Sequence, residues 1–250
     1  MKFTKSLVKY YKKIHSDFKE DHIHQFRISF KKLRAILRLQ KNSKILGSDI
    51  KSIYRVAGEI RNVQLVIKML SPQPGVGSRE SGVTKQLLPD LETLKKEWKV
   101  RYKTPVLPAL VSDLQKLKLK PANDKHFFTK KFNKLLYLLF ADIITDDMLH
   151  EARKISKDLQ YAMEVCKYDK IHSKLSVKPV SLKTLKTIGK EIGLYNDQRM
   201  LIGFLYKFKP PKNDPDSLKR VYPLIAKKVL EKNVQKEKLI ISLQSILESP

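Results

Sequence analysis

Apolar residues recur every three or four positions along most of the chain, and clean alternation of apolar and polar residues does not occur. Glycine is rare, with 8 residues in 250, and residues that favour helices dominate. This pattern predicts an all-α protein. Its helices are expected over residues 3–18, 22–41, 48–70, 84–117, 125–143, 146–167, 181–206 and 216–247.

Prolines and small or polar residues mark the predicted breaks. Loops are expected at residues 71–78, 121–124 and 209–215, where these residue types cluster. Within the 84–117 stretch, Pro89, Pro105 and Pro108 are each expected to start, kink or break a helix, because proline has no backbone N–H to donate.

The order of helices and loops occurs twice, which suggests an internal duplication. A short repeat supports it: His24, Arg27 and Lys31 have the same spacing as a second set, 126 residues further on, formed by His150, Arg153 and Lys157. We therefore expect a first helical half at residues 1–123 and a second at 124–250.

The composition adds a strong charge to this picture. Lys and Arg number 52 against 25 Asp and Glu, so the net charge is +27, and 42% of the residues are apolar. The chain can therefore bury a core, and its charge favours a polyanionic partner, because uncompensated repulsion destabilises a compact state. One cysteine, Cys166, excludes a disulfide scaffold and a cysteine-based zinc site.

The sequence gives no indication of a membrane partner. The first residues lack the apolar run and cleavage site of a signal peptide. The most apolar segment, residues 135–144, is too short to span a bilayer and contains Asp142. No segment has the paired basic and apolar faces of an interfacial helix. We expect a cytoplasmic protein.

The helix around His24 carries an ordered set of cations. With about 100° of rotation per residue, five side chains share a sector of roughly 80°. We call them the first basic row: His24, Arg27, Lys31, Arg34 and Arg38. Apolar stripes flank the row on both sides, formed by Phe26, Phe30, Leu33 and Leu37 and by Ile28, Ala35 and Leu39. The remaining polar face, which includes Lys32, is expected to meet solvent.

This geometry favours a row that lines a groove, because a solvated basic face normally lies opposite a single apolar stripe. Like charges one turn apart also repel, so the row is costly unless an anion lies against it. The second basic row is His150, Arg153 and Lys157. It is shorter, because Gln160 and Glu164 occupy the positions of Arg34 and Arg38. Lys154 lies just off this row.

These residues resemble the two signatures of the CHAD domain, a helical family named for its conserved histidines. The segment from His24 to Arg34 resembles H-x-x-R-V-x-x-R-R-L-R, and Leu149 to Tyr161 resembles L-H-x-x-R-K-x-x-K-x-L-R-Y. Arg61-Asn62 and Asn196-Asp197 fall where the family has an Arg-Asp element. The chain departs from the family pattern at Lys31, Lys32, Gln160 and Asn62, and Gln64 stands where a second acidic residue is common.

The resemblance implies a single domain over residues 1–250, built as two helical bundles related by a pseudo-twofold axis around a basic central cavity. It also implies binding of inorganic polyphosphate and association with polyphosphate granules. The candidate polyphosphate-binding residues are His24, Arg27, Lys31, Arg34, Arg38, Arg61, His150, Arg153, Lys154 and Lys157.

Two other functions also fit parts of the sequence. The charge would suit a nucleic-acid binder, but no RNP-like strand, zinc motif or clear helix-turn-helix is found. A metal-dependent phosphate-processing enzyme would need metal-holding carboxylates among the cations, and only Asp197 and Glu164 are suitably placed. We expect a binding protein with no catalytic residues, no cofactor and no metal site.

Overall fold

The computed structural model describes residues 2–70, 82–102, 106–116, 125–168, 170–171, 179–207, 209 and 217–248. Most of them lie in helices, which confirms the all-α prediction. The helices are α1 (Lys2–Asp17), α2 (Glu20–Leu39), α3 (Ser48–Leu70), α4 (Gly82–Tyr102), α5 (Val106–Lys116), α6 (Lys125–Leu139), α7 (Asp146–Cys166), α8 (Leu182–Tyr206) and α9 (Ser217–Glu248). A short 3-10 helix covers Ser43–Ile45, and two antiparallel strands, β1 (Lys170–Ile171) and β2 (Val180–Ser181), precede α8.

The predicted 84–117 stretch, in which each proline was expected to start, kink or break a helix, forms two helices, α4 and α5, with Pro89 inside the first and Pro108 in the first turn of the second. Pro105 and the predicted loops, except residue 209, lie outside the described residues. Helix α6 ends at Leu139 and not at the predicted residue 143. The prediction was too long because the apolar run on which it rested continues beyond the helix into a bend.

The start of α7 is fixed by side-chain chemistry. Thr145 Oγ1 accepts a hydrogen bond from the backbone N–H of Met148 at 3.2 Å, which satisfies one of the free donors of the first turn. Asp146 and Asp147 follow at once, where negative charge favours the helix N-terminus. This cap sets the register of the helix that carries the second basic row.

The chain divides into two compact units. Unit 1 comprises Met1–Phe30, Lys44–Lys118 and Arg199–Val229, and unit 2 comprises Lys31–Ser43, Leu119–Gln198 and Leu230–Pro250. The predicted pseudo-twofold duplication into residues 1–123 and 124–250 stays a prediction.

The core of unit 1 is rich in aromatic rings. Trp98 of α4 meets the edge of Phe26 at 5.7 Å between ring centroids, and Tyr11 of α1 lies 5.4 Å from the same tryptophan. Phe30 stacks on Tyr54 of α3 at 4.4 Å. These contacts join α1, α2, α3 and α4, so they fix the position of the basic row that α2 carries.

The core of unit 2 is mainly aliphatic. Fully buried side chains from four helices meet there, including Phe132 of α6, Leu149 of α7, Ile188 of α8 and Leu243 of α9. Burial of such side chains contributes roughly 1.5–3 kcal/mol each. Among the described helices, none combines the length and apolar character needed to cross a membrane.

Asp146 ties three helices of unit 2 together. Its carboxylate accepts hydrogen bonds from Tyr195 Oη of α8 at 2.7 Å and from Lys232 Nζ of α9 at 2.9 Å, and Lys236 Nζ lies 3.1 Å away. Desolvation acts to raise the pKa of Asp146, but these partners outweigh it and hold that pKa well below its usual range.

We predict that Asp146→Asn lowers the free energy of unfolding by about 1–2 kcal/mol at neutral pH, because it removes a charge-assisted hub. A carboxyl group whose folded pKa is lowered stabilises the fold above its unfolded pKa of about 4, and this stabilisation is lost as the pH falls. The difference between wild type and variant should therefore shrink below about pH 4. Urea unfolding across pH measures it.

Asp142→Asn is the matched control, because Asp142 is exposed in the bend before α7. It should change stability by less than about 0.5 kcal/mol. Equal losses for the two variants would contradict the role of Asp146 as a hub.

Candidate functional site

Both apolar flanks of the first basic row are buried. Phe26, Phe30, Leu33 and Leu37 on one side, and Ala35 and Leu39 on the other, are almost completely inaccessible. The remaining polar face is not the solvated surface that the sequence suggested, since Ser29 is also buried and Lys32 is half-buried. Helix α2 is therefore packed on more sides than a helical wheel indicates.

Arg27 is held against α3. Its guanidinium carbon lies 4.7 Å from the centre of the Tyr54 ring, and Nη1 donates to the Tyr54 carbonyl oxygen at 3.4 Å. The same nitrogen lies directly over Gly58, so that a Cβ at this glycine would overlap it. The cation is thus stacked on an aromatic face and fitted into the space left by a missing side chain.

Two cations of the second basic row use α8 in the same way. The stem of Lys157 packs on Gly189, where a Cβ would lie 2.8 Å from the lysine Cε. Arg153 packs near Gly193, where a Cβ would lie 3.5 Å from Nε. That Nε is buried and has no hydrogen-bond partner.

These glycines were not predicted from the sequence. Gly58, Gly189 and Gly193 lie inside helices, where glycine is less stable than alanine by roughly 0.5–1 kcal/mol. In a chain with only 8 glycines, their position on the helices that follow the signatures was a usable signal. Gly58 and Gly189 make room for Arg27 and Lys157, whereas a Cβ at Gly193 would make only an ordinary contact with Arg153.

Lys157 shows the electrostatic cost of this packing. Burial lowers the pKa of its ammonium group, and the nearby charges of Arg153 and Lys186 lower it further, while Glu164 acts in the opposite direction. Lys186 of α8 was not among the predicted residues. Three positive charges, those of Lys157, Arg153 and Lys186, therefore lie near the single negative charge of Glu164.

Arg38 forms an ion pair with a buried carboxylate. Its Nη1 donates to Oδ2 of Asp158, a buried residue of α7, at 2.5 Å, and Lys131 of α6 reaches the same oxygen at 3.5 Å. Breaking such a pair would leave an isolated buried charge, which is strongly destabilising. Arg38 thus has a structural partner within unit 2, and its predicted role in ligand binding stays a prediction.

Glu164, at the end of the second basic row, forms ion pairs and a hydrogen bond with several side chains. Its Oε2 lies 3.0 Å from Lys32 Nζ, and its Oε1 lies 3.5 Å from Lys186 Nζ. Oε1 also accepts from Gln160 Nε2 at 3.1 Å, and the Gln160 Oε1 accepts from Lys157 Nζ at 2.9 Å. Lys32, which we expected to meet solvent, is paired because α7 packs beside it.

The other residues of the first basic row differ in exposure. His24 is exposed, while Lys31 and Arg34 are half-buried. Arg61 of α3 forms an ion pair with Glu20 at the start of α2. Arg61 therefore helps to dock α2 on α3 within unit 1.

Two further residues accompany the second row. The Nδ1 of His150 lies 3.0 Å from the Asn196 side-chain oxygen, so one element of the second signature contacts the position of the family's Arg-Asp element. Lys154 is more exposed and pairs with Glu151 at 2.5 Å, off the row. Within the described residues, no three His, Cys, Asp or Glu side chains gather as a metal site would require.

The described chain is an all-α protein in which helices α2 and α7 each carry a row of cations, several of them half-buried. It belongs to the CHAD domain family, because the family model for the CHAD domain matches residues 2–206. The resemblance seen in the two signatures is thereby confirmed.

A solved structure supports the fold. The crystal structure of the CHAD domain from the plant Ricinus communis matches with a TM-score of 0.73 and 15% sequence identity, over 99% of this chain and 88% of that chain. Identity at this level shows a common fold. A comparison with curated proteins finds no significant match.

The glycine contact can be tested by a double-mutant cycle. Gly203 lies in α8 with open space around it, so Gly203→Ala should stabilise the protein by about 0.5–1 kcal/mol through helix propensity. Gly58→Ala should instead destabilise wild type, because the new methyl group displaces Arg27. In an Arg27→Ala background, Gly58→Ala should become stabilising. Urea unfolding of the variants measures the coupling; a Gly58→Ala gain in wild type equal to that of Gly203→Ala would contradict the contact.

Proposed function

We propose that this protein binds inorganic polyphosphate through the cations of its two basic rows, and that it is a binding module without enzymatic activity. One observation carries the proposal: Arg27 and Lys157 are packed tightly against helix glycines, Arg153 lies next to a third, and burial with neighbouring cations lowers the pKa of Lys157. Holding like charges in a partly desolvated place is unfavourable without an anion.

Polyphosphate matches this arrangement chemically. It is a flexible chain with about one negative charge per phosphate, and cations at one-turn spacing can replace its condensed counterions, as they do for nucleic-acid backbones. Arginine binds two phosphate oxygens through its planar fork, whereas lysine acts as a point charge. Lysine outnumbers arginine 42 to 10, which favours tolerant electrostatic binding of a repeating anion over recognition of one fixed shape.

His150 lies beside the second basic row in this proposal. Its Nδ1 is 3.0 Å from the Asn196 side-chain oxygen, and this contact orients the ring. In cells, a protein that binds polyphosphate in this manner would associate with polyphosphate granules.

The first test is a titration with polyphosphates of defined length. Affinity should rise with chain length and fall steeply with salt. Arg27→Gln should weaken binding about tenfold and lower the salt slope by about one, because one phosphate contact is lost. Lys238→Gln removes the same charge from an exposed site on α9 and should change affinity by less than about twofold.

DNA and heparin serve as competitors in the same assay, and thermal melting checks that each variant is folded. Equal affinity for phosphate and for a long polyphosphate would refute the proposal. A DNA complex that polyphosphate does not displace would favour a nucleic-acid binder, and phosphate release with Mg²⁺ or Mn²⁺ would favour an enzyme.

A second prediction follows from Lys157. Because burial and neighbouring cations lower its pKa, it loses its proton at a lower pH than an ordinary lysine, and a bound polyanion restores that proton. Polyphosphate affinity should therefore fall as the pH rises from about 8 to 10. Lys157→Arg keeps its charge in this range and should flatten the profile. Parallel profiles for wild type and variant would exclude Lys157 as the titrating group.

A further inference from the structure

Glu164 is a carboxylate at the end of a row of cations. We propose that it acts as an internal competitor of the polyanion: its oxygens hold Lys32 and Lys186, and a polyphosphate chain must displace the carboxylate to engage these lysines. Glu164 would thus limit the affinity of the second basic row. This inference rests on the proposed function and concerns its regulation.

The geometry places one carboxylate among three ammonium groups from three helices. Lys32 of α2 and Lys186 of α8 contact Glu164 directly at 3.0 and 3.5 Å, and Gln160 links it to Lys157 through hydrogen bonds of 3.1 and 2.9 Å. All of these residues belong to unit 2. Three positive charges therefore share one negative charge.

Glu164 remains charged in this environment. Partial burial acts to raise its pKa, but the hydrogen bonds from Gln160 and Lys32 and the charges of both lysines lower it overall. A carboxylate with a lowered pKa is ionised at neutral pH, and it occupies the same lysine donors that a phosphate oxygen would use. It also repels an approaching polyanion.

The carboxylate is held by contacts that can be exchanged. The Lys32 side chain is 34% exposed and that of Lys186 is 52% exposed, so both are open to solvent and to a ligand. Ion pairs at such accessible sites contribute about 0–1 kcal/mol, because water competes for both charges. A polyphosphate chain, which carries many charges, can replace one carboxylate at little cost to the fold.

The position of Glu164 in the row supports this role. In the first basic row the corresponding position is Arg38, a cation paired with the buried carboxylate of Asp158. In the second row the charge is reversed, and the acid is more accessible: the Glu164 side chain is 22% exposed, whereas that of Asp158 is 6% exposed. The carboxylate of the first pair is therefore part of the packed interior, whereas that of the second can be exchanged for another anion.

The test compares Glu164→Gln with Glu237→Gln, which removes the same charge from an exposed site on α9. Polyphosphate titrations at two salt concentrations should show that Glu164→Gln binds about three- to tenfold more tightly, with a salt slope steeper by about one. Glu237→Gln should stay within about twofold of wild type.

Lys32→Gln gives an independent measurement. It should weaken binding more in the Glu164→Gln background than in wild type, because only there is the lysine released from its carboxylate. If Glu164→Gln does not fold, the polyphosphate affinities of Lys186→Gln and Lys32→Gln are compared with that of wild type. If either variant loses as much affinity as Arg153→Gln does, the competitor role of Glu164 is refuted.

The outcomes separate the two proposals. If wild type does not bind polyphosphate, the proposed function fails. If wild type binds and Glu164→Gln binds equally or more weakly with its melting temperature unchanged, the competitor role is refuted and Glu164 instead orients the lysines for binding.

Discussion

A guanidinium or ammonium group can lie directly against the backbone of a neighbouring helix only where that helix lacks a side chain. Arg27 meets this condition at Gly58 and Lys157 at Gly189, while Arg153 lies at ordinary contact distance from Gly193. Because each glycine is inside a helix, the fold accepts a local loss of helix stability in exchange for the close approach. The aromatic core of unit 1 and the aliphatic core of unit 2 then hold α3 and α8 at the distance that these contacts need.

Within unit 2, carboxylates compensate the positive charge in two different environments. Asp158 is buried and pairs with Arg38, so its carboxylate is part of the packed interior although the guanidinium reaches solvent. Glu164 is more accessible, and its lysine partners lie partly in solvent. Exposed ion pairs exchange easily with other anions, whereas buried pairs resist exchange because a lone charge would remain. The same residue types therefore serve as structure at one place and as a reversible contact at another.

Much of the fold could be predicted from the sequence, because apolar spacing and capping residues are local signals. The bounds of α3 agree with the predicted 48–70, and α7 begins at the predicted residue 146 after its threonine cap. Lys32 was expected on the solvent face and is partly exposed, but its pairing with Glu164 could not be predicted, since a helical wheel describes one helix and the partner of Lys32 lies on another. The glycine contacts were not predicted for the same reason, because they depend on which helices become neighbours.

The extent of α9 bears on how this chain can be divided. The family match ends at residue 206, yet Leu239, Leu243 and Leu247 belong to the core of unit 2, and Lys232 binds Asp146. A fragment trimmed to the matched residues would expose the apolar surface that α9 covers and would leave Asp146 with fewer partners. A fragment meant to fold on its own should therefore include α9, although this helix lies beyond the residues that match the family model.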